Sequence, residues 1–276
     1  MIQPLLKDAA LIADIRATGA REGLHLWWLG QSGFLVQWQG RHLLLDPYLS
    51  DSLTRKYAAT DKPHVRMTER AVDPSQLDFI DVVTSSHNHT DHLDAETLGP
   101  LLRVNPRIRM IAPEANREFI AQRLGTDLAL PLGLSSGRFA FVDPFKIHAV
   151  PAAHEDVGPE YLGYVVKCGR WTIYHSGDTL LYEGMVEVLR PFQVDVALLP
   201  INGREPSRRV AGNLSAREAA QLGRDIGARL VIPCHYEMFE FNTADPADFA
   251  EAARSLGQPY RVLRCGERWD ATSPKP

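Results

Sequence analysis

The chain has 276 residues and a formal net charge of -4, with 45% hydrophobic and 23% charged residues. This composition is typical of a globular protein with enough apolar material for a sizeable core, so disorder is not expected. Acidic and basic residues are mixed along the chain, and no basic stripe is present that could follow a phosphate backbone. Nucleic acid is therefore a poor candidate partner.

The first predicted elements are a helix and an antiparallel meander. Apolar residues spaced for one helical face, followed by Gly19, predict a helix over 5–17. This segment carries Lys7 and Asp8 within its apolar part, which is not the pattern of a secretory signal peptide. The β-prone runs LHLWWLG, FLVQWQ and RHLLLDP are separated by GQSG and QG and predict the meander. Residues 50–75 are polar and contain prolines, so we expect a long surface loop there.

The remaining segments predict strands and helices in alternation. IDVVTSS, FKIHAVPA, YLGYVVKC and RWTIYHSGD read as strands, and EANREFIAQRLG reads as a helix. The final third predicts a helix at 180–190, strand VDVALLP, helix SAREAAQLGRDIG with a capping-box signature, strand ARLVIPCH and a helix near 246–256. This rhythm indicates two packed sheets with helices outside, and α/β layers of this length can share one core. We expect a single domain over residues 1–276.

The cysteines and the hydropathy pattern indicate the environment of the chain. Cys168, Cys234 and Cys265 are an odd number without CxxC spacing, so we expect small buried apolar residues and neither a disulfide framework nor a thiolate zinc site. No run of 18 apolar residues occurs. These features favour a soluble protein of a reducing compartment, without stable membrane insertion.

The stretch TSSHNHTDHLD, residues 84–94, carries the strongest chemical signal. It begins where a predicted buried strand ends, which is where ligand sites are favoured. His87 and His89 are two positions apart in an extended segment and project to the same side. Asp91 and His92 follow after a turn and can reach a neighbouring point. This arrangement suits two metal ions.

One strand end cannot complete two coordination spheres, so further ligands must come from elsewhere. His154, Asp178 and His235 each lie just beyond a predicted strand. Imidazole is the commonest ligand of borderline divalent metals, and a carboxylate also admits manganese or iron. A single histidine at a strand end is more often a hydrogen-bonded structural group, but the full HxHxDH pattern rarely arises by chance. We predict a site for two divalent ions, zinc or manganese, with iron as a further option.

HxHxDH followed by a distant His, Asp and His resembles the signature of the metallo-β-lactamase superfamily, and the resemblance covers nearly the whole chain. It implies an α/β (α+β) fold, the four-layer αβ/βα sandwich, with Asp46 as a supporting carboxylate and Asp178 as the bridging one. It implies ligand roles for two ions, the first held by His87, His89 and His154 and the second by Asp91, His92 and His235. Asp91 and Asp178 are the catalytic candidates, with Asp91 orienting a metal-bridging hydroxide.

A narrower resemblance rests on WWLGQSGFLV, YHSGDT and VIPCHYEMFEFNTADPADF, which are similar to stretches of the L-ascorbate-6-phosphate lactonase branch. That branch implies manganese or zinc, a cytoplasmic location and homo-oligomers. The resulting prediction is a hydrolase that opens a lactone or related ester of a small anionic molecule.

Three alternatives remain open at this point. N-acyl phosphatidylethanolamine phospholipases look similar in the same stretches, so the two ions could serve phosphodiester cleavage, although no obvious amphipathic membrane helix is present. The superfamily also includes iron-dependent oxidoreductases. A non-enzymatic binding protein is disfavoured, because every ligand position holds a competent side chain.

The loop NGREPSRRVAGN, residues 202–213, contains candidate substrate residues. Arg204, Arg208 and Arg209 could hold a phosphate by bidentate hydrogen bonds, or could be solvated and meet nearby glutamates. Asn213 could cap the next helix or point inward.

Tyr236 adjoins the proposed ligand His235, so its phenol could donate to a leaving alkoxide or an oxyanion. Packing is the alternative role, because a neighbour in an extended segment faces away. Structural or surface roles are expected for the histidines outside the motif, which are His25, His42, His64 and His148.

Overall fold

The computed structural model describes residues 1–19 and 23–271. The helices in these ranges are α1 (Asp8–Thr18), α2 (Ser52–Tyr57), α3 (Ala95–Val104), α4 (Arg117–Leu124), α5 (Met185–Leu189), α6 (Ala216–Asp225) and α7 (Pro246–Leu256). The strands are β1 (Leu24–Gly30), β2 (Gly33–Trp38), β3 (Arg41–Leu45), β4 (Val82–Thr84), β5 (Arg109–Pro113), β6 (Pro131–Leu134), β7 (Phe139–Val142), β8 (Phe145–Ala153), β9 (Val157–Cys168), β10 (Trp171–His175), β11 (Val196–Pro200), β12 (Leu230–Cys234) and β13 (Arg268–Asp270).

The first sheet has the strand order β13-β1-β2-β3-β4-β5-β6. The predicted meander is confirmed, because β1 to β3 pair antiparallel in sequence, with Leu26 opposite Val36 and Val36 opposite Leu43. From β3 to β6 the pairing is parallel. The carboxyl ends of β3 and β4 therefore lie at the same edge of the sheet.

The second sheet has the strand order β12-β11-β10-β9-β8-β7. Strands β8, β9 and β10 pair antiparallel, whereas β10, β11 and β12 are parallel. Strands β8, β10 and β12 consequently run in the same direction, and their carboxyl ends lie at one edge. These are the strands that precede His154, Asp178 and His235.

Apolar side chains from both sheets and from the helices form one continuous buried cluster. Helix α6 packs on β11 and β12 and against α7, while α4 packs on β6. The capping box predicted for α6 is confirmed, since Ser215 Oγ accepts from the Glu218 amide and the Glu218 carboxylate accepts from the Ser215 amide. The molecule is an α/β protein with the four-layer αβ/βα arrangement. None of the helices in the described ranges has the length and apolar content needed to cross a bilayer.

Several local expectations differ from the structure. The prediction of an irregular loop over 50–75 is wrong at its start, because residues 52–57 form α2 and Leu53 is buried. The helix expected over 180–190 is shorter, since Gly184 takes a left-handed conformation and α5 begins after it. Sequence reasoning also missed α3, which starts at the side-chain cap Asp94 directly after the histidine motif.

Candidate metal centre

The histidine motif lies in the loop that leaves β4, and this loop is anchored along its length. The Ser86 amide donates to both carboxylate oxygens of Asp46 at 3.1 Å. In the middle, the Arg123 guanidinium donates to the carbonyl of Asn88 at 2.6 Å. At the far end, the Asp94 carboxylate accepts from the first amides of α3. The loop therefore presents the motif's side chains in a fixed direction.

His154, Asp178 and His235 reach the same place from the second sheet. His154 directly follows β8 and His235 directly follows β12, while Asp178 lies three residues beyond β10. Two turns bend the chain toward the motif, with Gly177 at φ 60° and His235 itself at φ 62°. The structure thus brings together all seven side chains that the sequence predicted.

The first cluster consists of His87, His89 and His154, whose candidate ligand atoms lie within 4.8 Å of one another. His154 Nε2 is 3.1 Å from His89 Nδ1. His154 Nδ1 lies 3.1 Å from the Gly212 carbonyl, which can only accept, so Nδ1 carries the proton. The Nε2 lone pair of His154 is consequently free to face the cluster.

The second cluster consists of Asp91, His92, Asp178 and His235, with the same 4.8 Å limit on its ligand atoms. Asp178 Oδ1 is 3.2 Å from His92 Nε2, and Asp178 Oδ2 is 3.3 Å from His235 Nε2. Asp178 Oδ2 also lies 3.7 Å from His154 Nε2, which belongs to the first cluster. Asp178 therefore stands between the two clusters, as the bridging role expected for it requires.

Asp46 orients the second cluster from behind. This carboxylate is fully buried and lies 2.8 Å from His92 Nδ1, which donates to it. Thr84 Oγ1 donates to Asp46 Oδ1 at 2.8 Å, so the carboxylate itself is held. A carboxylate on the Nδ1 proton fixes the tautomer and turns the Nε2 lone pair of His92 toward the cluster.

The buried carboxylates of the second cluster are stabilised by nearby positive charge. Burial opposes ionisation of Asp178, yet His235 and His92 hold the pKa of this carboxyl well below its ordinary value. Burial likewise opposes a charged His235, but the Asp178 carboxylate raises the pKa of this imidazole to about 9. In the first cluster burial lowers the pKa of His87 well below its ordinary value. Burial also lowers the pKa of His154. His87 and His154 therefore favour the neutral form, whereas the second cluster contains two carboxylates that favour a nearby cation.

The donor set fits two divalent cations. His87 Nε2 is buried and has no hydrogen-bond partner among the described residues, and His92 Nε2 is buried with only ion-pair contacts to the Asp178 and Asp91 carboxylates. Buried polar atoms without a hydrogen-bond partner are rare, and here both point to a bound group that completes them. Three imidazoles in one cluster and two imidazoles with two carboxylates in the other are donors that borderline divalent metals prefer.

A cavity of about 420 Å³ opens above the clusters and is lined by His89, Asp91, His154, Asp178 and His235. The wall away from the clusters includes three cationic side chains, one further carboxylate and four aromatic side chains, namely Lys56, Arg123, Arg209, Glu155, Tyr57, Phe119, Phe239 and Phe241. A space of this size admits a small molecule.

The three cations of the wall differ in their partners. Arg209 pairs with Asp61 at 2.7 Å, and Arg123 donates to main-chain carbonyls. The Lys56 ammonium lies 5.1 Å from the Tyr57 ring centroid, and in the part of the chain that the structure describes no carboxylate lies within ion-pair distance of it. Lys56 is therefore the wall cation whose charge is left for a ligand.

Among the predicted substrate residues, Arg209 lines this cavity, whereas Arg204, Asn213 and Tyr236 do not. Both terminal nitrogens of Arg204 donate to the Glu218 carboxylate at 2.7 Å. Arg204 therefore pairs with a nearby glutamate, which was the alternative to phosphate binding. Asn213 is buried and donates to Asn202 Oδ1 at 3.0 Å. The Tyr236 hydroxyl donates to the carbonyl of Leu263, and its ring packs on Trp28 with 4.4 Å between centroids. Tyr236 thus takes the packing role.

Sequence reasoning missed two contributors to the site. His64 lines the cavity and stacks on Tyr57 with 4.1 Å between ring centroids, although a structural or surface role was expected for it. Gln31, in the turn between β1 and β2, donates from Nε2 to Asp91 Oδ2 at 2.8 Å. The signal for Gln31 was a long polar side chain inside the glycine-flanked GQSG turn, which was read as a turn alone. His25, by contrast, contacts Asp270 at 2.6 Å, away from the clusters.

Comparisons with known proteins identify the family of the chain. The sequence profile of the "Beta-lactamase superfamily domain" matches residues 41–236. A "UPF0173 metal-dependent hydrolase" of Opitutus terrae is 33% identical over 257 residues, which cover 88% of this chain and 98% of the relative. A protein of the same description from Caldivirga maquilingensis is 29% identical over 238 residues, covering 86% and 93%. The solved structure of Igni18, a metallo hydrolase from Ignicoccus hospitalis, has a TM-score of 0.68 at 24% identity and covers 91% of this chain and 99% of its own. The chain belongs to the metallo-β-lactamase superfamily.

Proposed function

We propose that this chain is a two-metal hydrolase that opens a lactone or related ester of a small anionic molecule. The observation that carries the proposal is the position of Asp178, which lies between the histidine cluster of 87, 89 and 154 and the cluster of 91, 92 and 235. Family membership and the name shared by the relatives support metal-dependent hydrolysis. The lactone or ester substrate rests on the resemblance found in the sequence and on the character of the cavity.

The two clusters and Asp91 would have different roles in hydrolysis. The first cluster would hold one ion and the second cluster the other, and the Asp178 carboxylate lies within 3.7 Å of ligand atoms of both clusters. Two divalent ions so placed would lower the pKa of a water molecule toward neutrality and polarise the oxygen atoms of an ester. Asp91 keeps its carboxylate ionised, because His92 and His235 hold its pKa below its ordinary value against the effect of burial. An ionised Asp91 accepts a hydrogen bond from the attacking water and later carries a proton to the leaving alkoxide.

The cavity supports a small anionic substrate. Its volume of about 420 Å³ limits the size of the ligand, and in the wall away from the clusters the three cations Lys56, Arg123 and Arg209 outnumber the one carboxylate, Glu155. Lys56 would hold the anionic group, since its ammonium has no carboxylate partner among the described residues. Tyr57 and Phe241 offer apolar surface to the rest of the molecule.

Removing one ligand from either cluster tests the scheme. His89→Ala and Asp178→Ala are expected to lose one or both ions and to lower turnover by at least about a thousandfold, because the ions supply several kcal/mol of transition-state stabilisation. Metal content by mass spectrometry, turnover, and far-UV circular dichroism are measured together. His148→Ala is the matched control, since His148 lies on β8 between Phe139 and Phe192. Normal turnover in Asp178→Ala with a full metal content would overturn the proposal.

The choice of substrate is tested separately. Protein purified without chelator is assayed against a panel of anionic and neutral lactones and against bis-p-nitrophenyl phosphate. Faster hydrolysis of anionic lactones, with a higher KM in Lys56→Met, is the expected result. Preferential cleavage of the phosphodiester would replace the lactone by a phosphodiester substrate. Bound iron with substrate-dependent oxygen uptake would instead identify an oxidoreductase.

A further inference from the structure

Gln31 is linked to two residues of the second cluster at once. It lies in the turn between β1 and β2 with φ 50°, and only 1% of its surface is exposed. Its main-chain carbonyl accepts from the His235 amide at 2.9 Å and from Trp28 Nε1 at 3.0 Å. Its side-chain Nε2 donates to Asp91 Oδ2 at 2.8 Å. One residue of the first sheet thus contacts both the loop that carries Asp91 and the turn that carries His235.

The orientation of the Gln31 amide follows from its partners. Asp91 Oδ2 is an acceptor, so the amide atom 2.8 Å away must be the NH₂ group and not the carbonyl oxygen. This orientation leaves Gln31 Oε1 buried without a partner among the described residues. An unpaired buried oxygen is unfavourable. The amide keeps this orientation because Asp91 requires a donor.

The second contact of the same nitrogen indicates what changes when a cation binds. Gln31 Nε2 lies 2.9 Å from His235 Nε2 as well. A cation held by the second cluster would use the Nε2 lone pair of His235, and Asp91 would remain as the acceptor for Gln31. The donor to Asp91 Oδ2 then fixes which way the carboxylate turns, while the main-chain contact holds His235 in place.

We infer that Gln31 is a positioning residue for the second metal ion: it orients the Asp91 carboxylate and the His235 turn and thereby sets the affinity of that ion, but not of the first. This inference rests on the two-ion function proposed above. Within the described residues, the side-chain hydrogen bonds of Gln31 go to Asp91 and His235, and none goes to His87, His89 or His154. His154 Nδ1 faces the Gly212 carbonyl instead. The two ions should therefore respond differently to replacement of Gln31.

The test is a Zn²⁺ titration of the full chain against a chromophoric chelator. In Gln31→Met, which keeps the length of the side chain but has no donor, one of the two dissociation constants, that of the second-cluster ion, is expected to rise about tenfold to a hundredfold. The dissociation constant of the other ion should not change. Gln31→Asn should give the same selective loss, because its amide is too short to reach Asp91, and Asn tolerates the positive φ should the Met variant fail to fold.

Gln37→Met is the matched control. Gln37 is also fully buried, lies toward the far end of β2 and donates to the carbonyl of Thr18 at 3.3 Å. It is expected to bind both ions as the wild type does. Unchanged affinity for both ions in the Gln31 variants, or an equal loss of both, would overturn the inference. A wild-type protein that binds fewer than two ions would instead count against the proposed function, so the two failures are distinguishable.

Discussion

At the scale of single residues, the site depends on close approach of the two sheets, and Gly177 shows this most directly. Gly177 has φ 60° and lies immediately before Asp178. A Cβ atom at this position would lie 2.6 Å from the Cβ and Oγ of Ser86, which belongs to the loop that carries His87. The absence of a side chain at 177 therefore lets the β10 turn meet the β4 loop.

Replacing Gly177 tests this contact. Gly177→Ala combines a left-handed conformation with overlap on Ser86, and we expect it to lower the free energy of unfolding by about 2–4 kcal/mol. Displacement of Asp178 should weaken metal binding as well. Gly184→Ala is the matched control, since Gly184 has φ 84° and nothing within 4 Å of the added Cβ. Gly184→Ala should lower the free energy of unfolding by about 1 kcal/mol, because the left-handed backbone conformation disfavours alanine and no overlap is added. Urea unfolding measures both, and equal losses would show that overlap with Ser86 is unimportant.

At the scale of elements, α6 shows how an arginine expected to bind substrate serves the structure instead. The Glu218 carboxylate accepts from the Ser215 amide and from both terminal nitrogens of Arg204. The Arg204 guanidinium lowers the pKa of Glu218 to about 2. The loop over 202–213 is thereby tied to the first turn of α6, and Arg209 of this loop lines the cavity. The charge pair thus contributes to the position of the cavity wall.

The pH dependence of stability should report this pair. The pKa of Glu218 is lower in the folded chain than its ordinary value of 4.5. Its contribution is therefore present above about pH 4.5 and is lost as the pH falls toward about 2. Glu218→Gln should lower the free energy of unfolding by about 0.5–1 kcal/mol at pH 7, a modest amount because Arg204 is half exposed and water screens the pair. The difference from wild type should shrink between about pH 5 and about pH 3. In the control Glu251→Gln, on the exposed face of α7, a comparable pH-dependent difference would contradict this assignment.

At the scale of the whole molecule, the two sheets meet around a group of buried charges. Asp46, Asp91 and Asp178 come from three different loops, and burial opposes the ionisation of each. His92 and His235 offset this cost when they are protonated, and divalent cations can take over the same role. Metal binding and stability of the fold are therefore coupled.

Removal of metal should lower the stability of the whole chain. A ligand at a hundred times its dissociation constant stabilises the folded state by about 2.7 kcal/mol. Chelator treatment is therefore expected to lower the Tm, and added Zn²⁺ or Mn²⁺ should restore it. Thermal unfolding of wild type and of Asp178→Ala, each with and without chelator, measures the effect. The Tm of the variant should change much less on chelator treatment. An equal change in both proteins would show that metal binding at the two clusters does not stabilise the fold.

The sequence was sufficient for many local elements of the fold, although not for α2 and α3, and for the identity of the clustered side chains. The meander of β1 to β3 followed from alternating apolar runs and glycine turns, and the start of α6 followed from Ser215 and Glu218. Period and capping are properties of neighbours in sequence, so they can be read without coordinates. The histidine motif and the three distant positions were also readable, because each follows a strand.

The tertiary structure alone decided which side chains reach the cavity. Arg204 and Tyr236 were placed near the site by sequence proximity, but Glu218 and Leu263 provide their partners. Lys56 and Gln31 approach the site from segments outside the histidine motif. Contacts across a fold depend on how two sheets pack, and a local pattern carries no information on the distance between residues that are remote in sequence. The sequence thus determined the metal-ligand chemistry of this protein, and packing determined the walls around it.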